Sequence, residues 1–120
     1  MTREDLDAAM AWAHESIRMT VESPAEGRLM FEGSQAVMAF QRRLRETWEN
    51  YRLDVEELID AGDRVLAVVV RHGRGRVSGA EVSDRIFHVW TFRDGMVVAF
   101  DSLRDKAEAL ALVGLPEQAS

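Results

Sequence analysis

The chain has 120 residues, of which 47% are hydrophobic and 30% are charged, and its net charge is −6. This composition is typical of one folded globular domain. It argues against a disordered chain and against a general nucleic-acid binder, which needs a clustered positive surface. The chain has no cysteine, which excludes disulfides and thiolate chemistry.

The N-terminus is charged from its first residues, and the longest apolar run, Val65–Val70, is much shorter than the ~20 residues of a membrane span. We therefore expect a cytoplasmic protein without a membrane or nucleic-acid partner. A single domain is expected over residues 1–115, with a short tail over residues 116–120.

The first part of the chain predicts a helix followed by a β-hairpin. Asp5 is a favourable N-cap for a helix over Leu6–Ala13, in which apolar residues recur at helical spacing. Ser16–Val21 alternates apolar and polar residues, as a half-buried strand does. Arg28–Phe31 follows a turn that contains proline and glycine, and it is expected to pair with that strand.

A second helix and a further strand are expected next. Ser34 is expected to cap a helix over Gln35–Glu49. Tyr51–Asp60 is expected to form a strand that leads into the Ala61-Gly62-Asp63 turn. The apolar residues of the helix keep a helical period, which indicates one buried face: Val37, Phe40, Leu44 and Trp48.

The next stretch predicts three successive antiparallel strands. An apolar strand, Val65–Val70, is joined by a Gly/Arg-rich connection to an alternating strand, Val82–Phe92. The Arg93-Asp94-Gly95 turn then leads into the third strand, Met96–Ser102. Alternation within the middle strand predicts two faces, with Asp84, Ile86, His88, Trp90 and Phe92 on one side and Ser83, Arg85, Phe87, Val89 and Thr91 on the other.

The chain ends in a predicted short helix, Asp105–Val113, which Gly114 terminates. Helices and strands in this order predict an α+β domain, in which a curved antiparallel sheet carries its helices on one face. Such an arrangement encloses a cone.

Several short motifs occur in an order that resembles the SnoaL-like branch of the nuclear-transport-factor-2-like superfamily. The order is more specific than any single motif, and it extends from Phe31 to Leu115, while Asp5–Val21 resembles the first helix-strand segment of that family. The motifs are Ala61-Gly62-Asp63-Arg64-Val65, Gly73-Arg74-Gly75, Ser78-Gly79, His88-Val89-Trp90-Thr91-Phe92-Arg93-Asp94-Gly95 and Asp105–Leu110.

This resemblance implies a curved antiparallel sheet wrapped by helices into a conical pocket, the cystatin-like α+β barrel. It also implies a homodimer through the outer face of the sheet, where Phe87 and Val89 are expected. Family members usually begin with a long helix that forms one wall of the pocket, whereas only Met1–Glu4 precede Asp5 here. We therefore expect an N-terminally shortened cone, which is open on one side or covered by a second subunit.

The resemblance also singles out His88. Ketosteroid isomerases carry the protonated aspartic acid of their oxyanion hole at this position, and polyketide cyclases of the SnoaL-like type place an acid/base there. A histidine can serve as general acid or base because its ordinary pKa, about 6.5, lies near neutral pH. The alternative is a partly buried histidine that only makes the pocket more polar.

The other catalytic positions of the resembling enzymes hold residues that cannot do their chemistry. Met19 or Thr20 stands where ketosteroid isomerases have their base, and neither abstracts a proton at neutral pH. Val69, Arg71 and Ser102 stand where limonene-epoxide-hydrolase-like members have their water-activating set. No complete catalytic set can therefore be assembled from this sequence.

The expected site is an apolar pocket with few polar groups. His88 is the candidate acid/base, and Asp84 or Arg71 is expected to orient it or to meet a polar group of the ligand. The remaining pocket residues frame this site: Trp12, Met19, Phe40, Val69, Trp90, Phe100 and Ser102. The three histidines share no metal-ligand spacing and no dinucleotide-binding loop is present, so neither a metal nor a cofactor is expected.

Three functions remain open at this point. The first is a domain that binds a small apolar ligand without catalysing a reaction. The second is an isomerase, cyclase or hydrolase that acts on a small apolar substrate with His88 as acid/base. The third is a structural dimer without a usable cavity.

Overall fold

A computed structural model of the chain describes residues 13–23 and 27–115. The predicted N-terminal helix up to Trp12, the turn at residues 24–26 and the predicted tail lie outside these residues. The elements, in chain order, are β1 (Ala13–Ser23), β2 (Gly27–Glu32), α1 (Ser34–Thr47), β3 (Trp48–Ala61), β4 (Arg64–Gly75), β5 (Glu81–Arg93), β6 (Met96–Leu103) and α2 (Lys106–Leu112). Ala13, predicted as the end of a helix, is the first residue of a strand.

The six strands form one open, curved sheet in the order β2-β1-β6-β5-β4-β3. The α+β fold and the antiparallel run from β3 to β6 are confirmed. β1 and β2 pair as a hairpin, also as predicted. One pair departs from the expected antiparallel sheet, because β1 lies parallel to β6.

The turn residues set the register of the three successive antiparallel strands β4, β5 and β6. Asp94 and Gly95 both have positive φ, 52° and 77°, as a two-residue turn between twisted strands requires. The Gly/Arg-rich connection is much shorter than predicted, because β4 continues to Gly75 and β5 begins at Glu81. The Gly75 amide donates to the Ala80 carbonyl at 2.9 Å and closes this hairpin. Arg71 and His88 consequently lie inside strands whose pairing is continuous.

Helix α1 begins one residue earlier and ends two residues earlier than predicted. Gly33, with φ 89°, is the N-cap, so Ser34 is the first helical residue and makes no side-chain cap. Glycine adopts this φ without a steric penalty. At the other end Trp48 is already extended and pairs with Gly75, so strand pairing ends the helix.

Helix α2 confirms the predicted terminal helix. The Asp105 carboxylate accepts hydrogen bonds from the backbone amides of Ala107, at 2.8 Å, and Glu108, at 3.4 Å. Gly114, with φ 77°, stands at the predicted end. The Arg64 guanidinium donates to the Leu112 carbonyl and thus satisfies one of the last backbone acceptors of the helix.

Removing this cap provides a first test. The Asp105→Ala variant is expected to lose about 1 kcal/mol of unfolding free energy, because two amides of the first turn lose their acceptor. Asp105→Asn keeps an acceptor oxygen and is expected to lose less than half of that. Urea denaturation followed by circular dichroism measures both values. Equal losses in the two variants would contradict a capping role.

The two faces of the sheet carry two separate apolar clusters, and each has its own helix. The inner face carries Ile17, Met19, Val65, Ala67, Val69, Ile86, Trp90 and Val97, and α1 covers it with Val37. The outer face carries Leu66, Val68, Phe87, Val89 and Leu103, and α2 covers it with Ala109 and Leu110. The expectation that the helices share one face is therefore wrong.

Phe87 and Val89 lie on the outer face, as their parity predicted. Both side chains are buried, at 5% and 0% exposure, because α2 lies over them. A dimer that contacts these two side chains would require α2 to move away. The homodimer itself stays a prediction. Among the described residues, neither helix has the length and hydropathy that crossing a bilayer demands.

Candidate functional site

His88 lies in the apolar layer of the inner face. Its side chain is 7% exposed, and it stands opposite Ala67 on β4 and Ser102 on β6. No other described residue forms a hydrogen bond with its ring. The imidazole therefore keeps its hydrogen-bonding capacity for a group outside the described part of the chain.

Burial determines the charge of His88. Removal from water, together with the positive charge of Arg71, lowers the pKa of His88 from 6.5 to about 4. The imidazole is therefore uncharged at neutral pH, with one N–H donor and one acceptor nitrogen.

The Phe100 ring contacts this imidazole and links it to Trp90. Phe100 contacts His88 edge to face, with ring centroids 4.8 Å apart, and contacts Trp90 in the same way at 4.6 Å. Met19 on β1 pairs with Phe100 and is 3% exposed. His88, Ser102, Phe100, Trp90 and Met19 were all predicted pocket residues, and the fold brings them together.

A second polar group lies farther along the same face. Arg71 and Asp84 are register partners on β4 and β5, and the guanidinium donates to the carboxylate through two bonds of 2.9 and 2.6 Å. Asp84 stands four residues from His88 on one strand, which corresponds to about 13 Å. Its carboxylate is bonded to Arg71, so it does not orient the imidazole as predicted. The side chains of Arg71, Asp84 and His88 nevertheless all lie on the inner face, as expected.

Tyr51 joins this second group, and sequence analysis missed it. Burial raises the pKa of the Tyr51 phenol, and the adjacent Arg71 guanidinium opposes the rise. Tyr51 and Trp48 line a small cleft of about 10 Å³ with Arg71, Gly73 and Val82, which is room for roughly one water molecule. The period-two alternation of Tyr51, Leu53 and Val55 in β3 was the available signal.

The remaining predicted pocket residues are placed as follows. Val69 is buried at 1% exposure in the inner cluster, and Phe40 packs against that cluster from α1. Phe40 also contacts Phe31, with ring centroids 4.9 Å apart. Trp12 lies outside the described residues. Within residues 13–23 and 27–115, no three histidine or acidic side chains are grouped so that they could hold a metal ion.

Comparison with known families matches residues 1–100 to the SnoaL-like domain. The matching region covers the inner-face residues His88, Trp90 and Phe100. No protein of curated function matches the chain.

Solved structures give the same result for the fold. An NTF2-like protein from Burkholderia thailandensis E264 is 30% identical, with a TM-score of 0.73 over 95% of this chain and 88% of that one. A candidate SnoaL-like polyketide cyclase from Jannaschia sp. CCS1 is 20% identical, with a TM-score of 0.71 over 92% and 79% of the chains. TerC, crystallised with polyporic acid, is 20% identical, with a TM-score of 0.68 over 92% and 95%. At 20% identity, the last two are similar in fold alone.

Proposed function

The chain belongs to the SnoaL-like domain family, and from this premise we propose that it binds a small, uncharged and largely apolar molecule on the inner face of its sheet. The observation that carries the proposal is the buried imidazole of His88, which forms no hydrogen bond with another described residue and lies within an apolar and aromatic layer. Small-molecule sites usually combine apolar walls with a few well-placed polar groups.

The charges of the inner face support a neutral ligand. His88 is uncharged at neutral pH, and the positive charge of Arg71 is compensated by Asp84. A charged ligand would lose its hydration on this face, and His88 and the Arg71–Asp84 pair would offer it no uncompensated opposite charge. The imidazole can donate to a carbonyl or accept from a hydroxyl, so one such oxygen on the ligand is sufficient for orientation.

Catalysis on a molecule of this kind is the second candidate. It is favoured by the position of the imidazole, which contacts the Phe100 ring in the layer where a ligand is proposed to bind. With a pKa of about 4, His88 is a weak base at neutral pH. Its chemistry would be donation of a hydrogen bond to an oxygen that gains negative charge, rather than abstraction of a proton.

The binding proposal is tested with protein isolated from the organism that encodes it. Denaturation and mass spectrometry of the released material are expected to show a neutral molecule in an amount comparable to that of the protein. The His88→Leu variant, isolated in the same way, is expected to retain about tenfold less, because the ligand loses a buried hydrogen bond.

The matched control is His72→Leu, which changes a histidine on the outer face, where its ring lies beside Asp54. This variant is expected to retain the same amount as the parent. Equal losses in the two variants, or release of a charged molecule, would contradict a neutral ligand at His88.

A further inference from the structure

The indole nitrogen of Trp90 is a buried donor that no other described residue uses. Trp90 is 7% exposed, its Nε1 is closed off from solvent, and the described residues offer no hydrogen-bond acceptor to it. Buried indole N–H groups normally have a partner, and an unpaired one is unfavourable. This donor therefore marks a place where an acceptor would be bound.

The donor belongs to the layer that also holds His88. Trp90 and His88 are two residues apart on the same face of β5, which corresponds to about 7 Å. Both rings contact Phe100, at 4.6 and 4.8 Å. A molecule that lies along Phe100 would reach both rings.

We propose that the Trp90 indole N–H is a specificity-determining donor that binds an acceptor oxygen of the ligand, such as a carbonyl oxygen. This inference rests on the proposed binding function. Indole only donates, whereas imidazole donates and accepts, so Trp90 selects an acceptor that His88 alone would not require. A hydrocarbon of the same shape would leave the indole N–H unpaired.

Access to the indole requires a neighbouring side chain to move. Met19 lies next to Phe100 in the strand register and belongs to the same buried cluster as Trp90. Its unbranched thioether chain has three rotatable bonds and adapts to new neighbours more easily than a ring does. Met19 is thus a side chain of this cluster that can move when a ligand enters.

The test uses two probes with one carbon skeleton, 1-tetralone and tetralin, of which only the first has a carbonyl oxygen. With 15N-labelled full-length protein, 1-tetralone is expected to shift the indole N–H resonance of Trp90, whereas tetralin is not. The Trp48 indole serves as the internal reference. The parent is expected to bind 1-tetralone about tenfold more tightly than tetralin, and Trp90→Phe is expected to lose this preference while its affinity for tetralin changes less than twofold.

If Trp90→Phe does not fold, the spectrum of the parent protein alone tests whether the Trp90 indole N–H donates to the ligand. A response of the inner-face methyl groups to 1-tetralone, without a shift of the Trp90 indole, overturns the donor role and leaves the binding function intact. A Trp90→Phe protein that keeps the preference for the ketone overturns it as well. If no inner-face signal responds to either probe, the binding function fails together with this inference.

Discussion

The Val89→Glu variant is expected to lose about 4 kcal/mol or more of unfolding free energy, whereas Val77→Glu is expected to stay within about 0.5 kcal/mol of the parent. The two substitutions are chemically identical. They differ only in place, because Val89 is 0% exposed and Val77 is fully exposed in the turn between β4 and β5. A typical domain is stable by only about 5–15 kcal/mol, so the first variant is near the limit of folding.

The surroundings of Val89 explain the size of this effect. Its side chain is opposite Leu66 on one neighbouring strand and Asp101 on the other, and Ala109 and Leu110 of α2 cover the layer. A glutamate here would be removed from water, and the Arg64 guanidinium on this face already donates to the Leu112 carbonyl. It would also stand opposite Asp101, a carboxyl whose pKa burial already raises.

Urea denaturation measures the unfolding free energy of each variant, and sedimentation measures its mass in solution. Val89→Ala, which removes two methyl groups, is expected to fold and to lose about 2 kcal/mol, so the test does not depend on the glutamate variant folding. If Val89→Glu is as stable as Val77→Glu, α2 does not cover the outer face in solution. A change in sedimented mass on Val89→Glu without loss of stability would instead support the predicted dimer through Phe87 and Val89.

Local patterns were sufficient to predict the meander and its two faces. Alternation in Val82–Phe92 separated His88 and Trp90 from Phe87 and Val89, and the two clusters follow this division. The Asp94-Gly95 turn predicted the next hairpin because few other residue pairs adopt its backbone angles. Each of these signals lies within about a dozen residues of the structure it specifies.

Distant pairing was not predictable in the same way. The parallel contact of β1 with β6 joins Met19 to Phe100, and no local residue pattern encodes it. The apolar residues Ala109 and Leu110 indicate that α2 is buried, but they do not indicate on which face. These outcomes depend on how the complete sheet covers its apolar surface.

The site was predictable to the same extent. The inward orientation of Arg71, Asp84 and His88 followed from the alternation of side chains along their strands. The ion pair between Arg71 and Asp84, in contrast, depends on the register of β4 and β5. The Gly/Arg-rich connection hid that register, because glycines favoured a long loop where the strands continue to Gly75 and resume at Glu81. Tyr51 was missed for a related reason, since its contact with Arg71 requires β4 to continue beyond Val70 alongside β3.

Acidification is expected to destabilise the protein through His88. The pKa of His88 is about 4 in the fold, and an unfolded chain has the ordinary value of 6.5. Between these values the unfolded state binds more protons than the folded state, so stability decreases as the pH falls. The contribution of the neutral His88 to the unfolding free energy is fully present above pH 6.5. It declines by about 1.4 kcal/mol per pH unit as the pH falls from 6.5 to 4, and about 3 kcal/mol is lost below pH 4.

The difference between the parent and His88→Leu isolates this effect. Asp101 acts in the opposite sense, because burial raises its pKa and its folded state holds a proton more strongly, so the parent curve alone underestimates the contribution of His88. Unfolding free energies from urea titrations between pH 7 and pH 4.5 are expected to fall by about 2.5 kcal/mol more in the parent than in His88→Leu. Parallel curves for the two proteins would show that the imidazole is protonated with an ordinary pKa, and a neutral, buried His88 would then be contradicted.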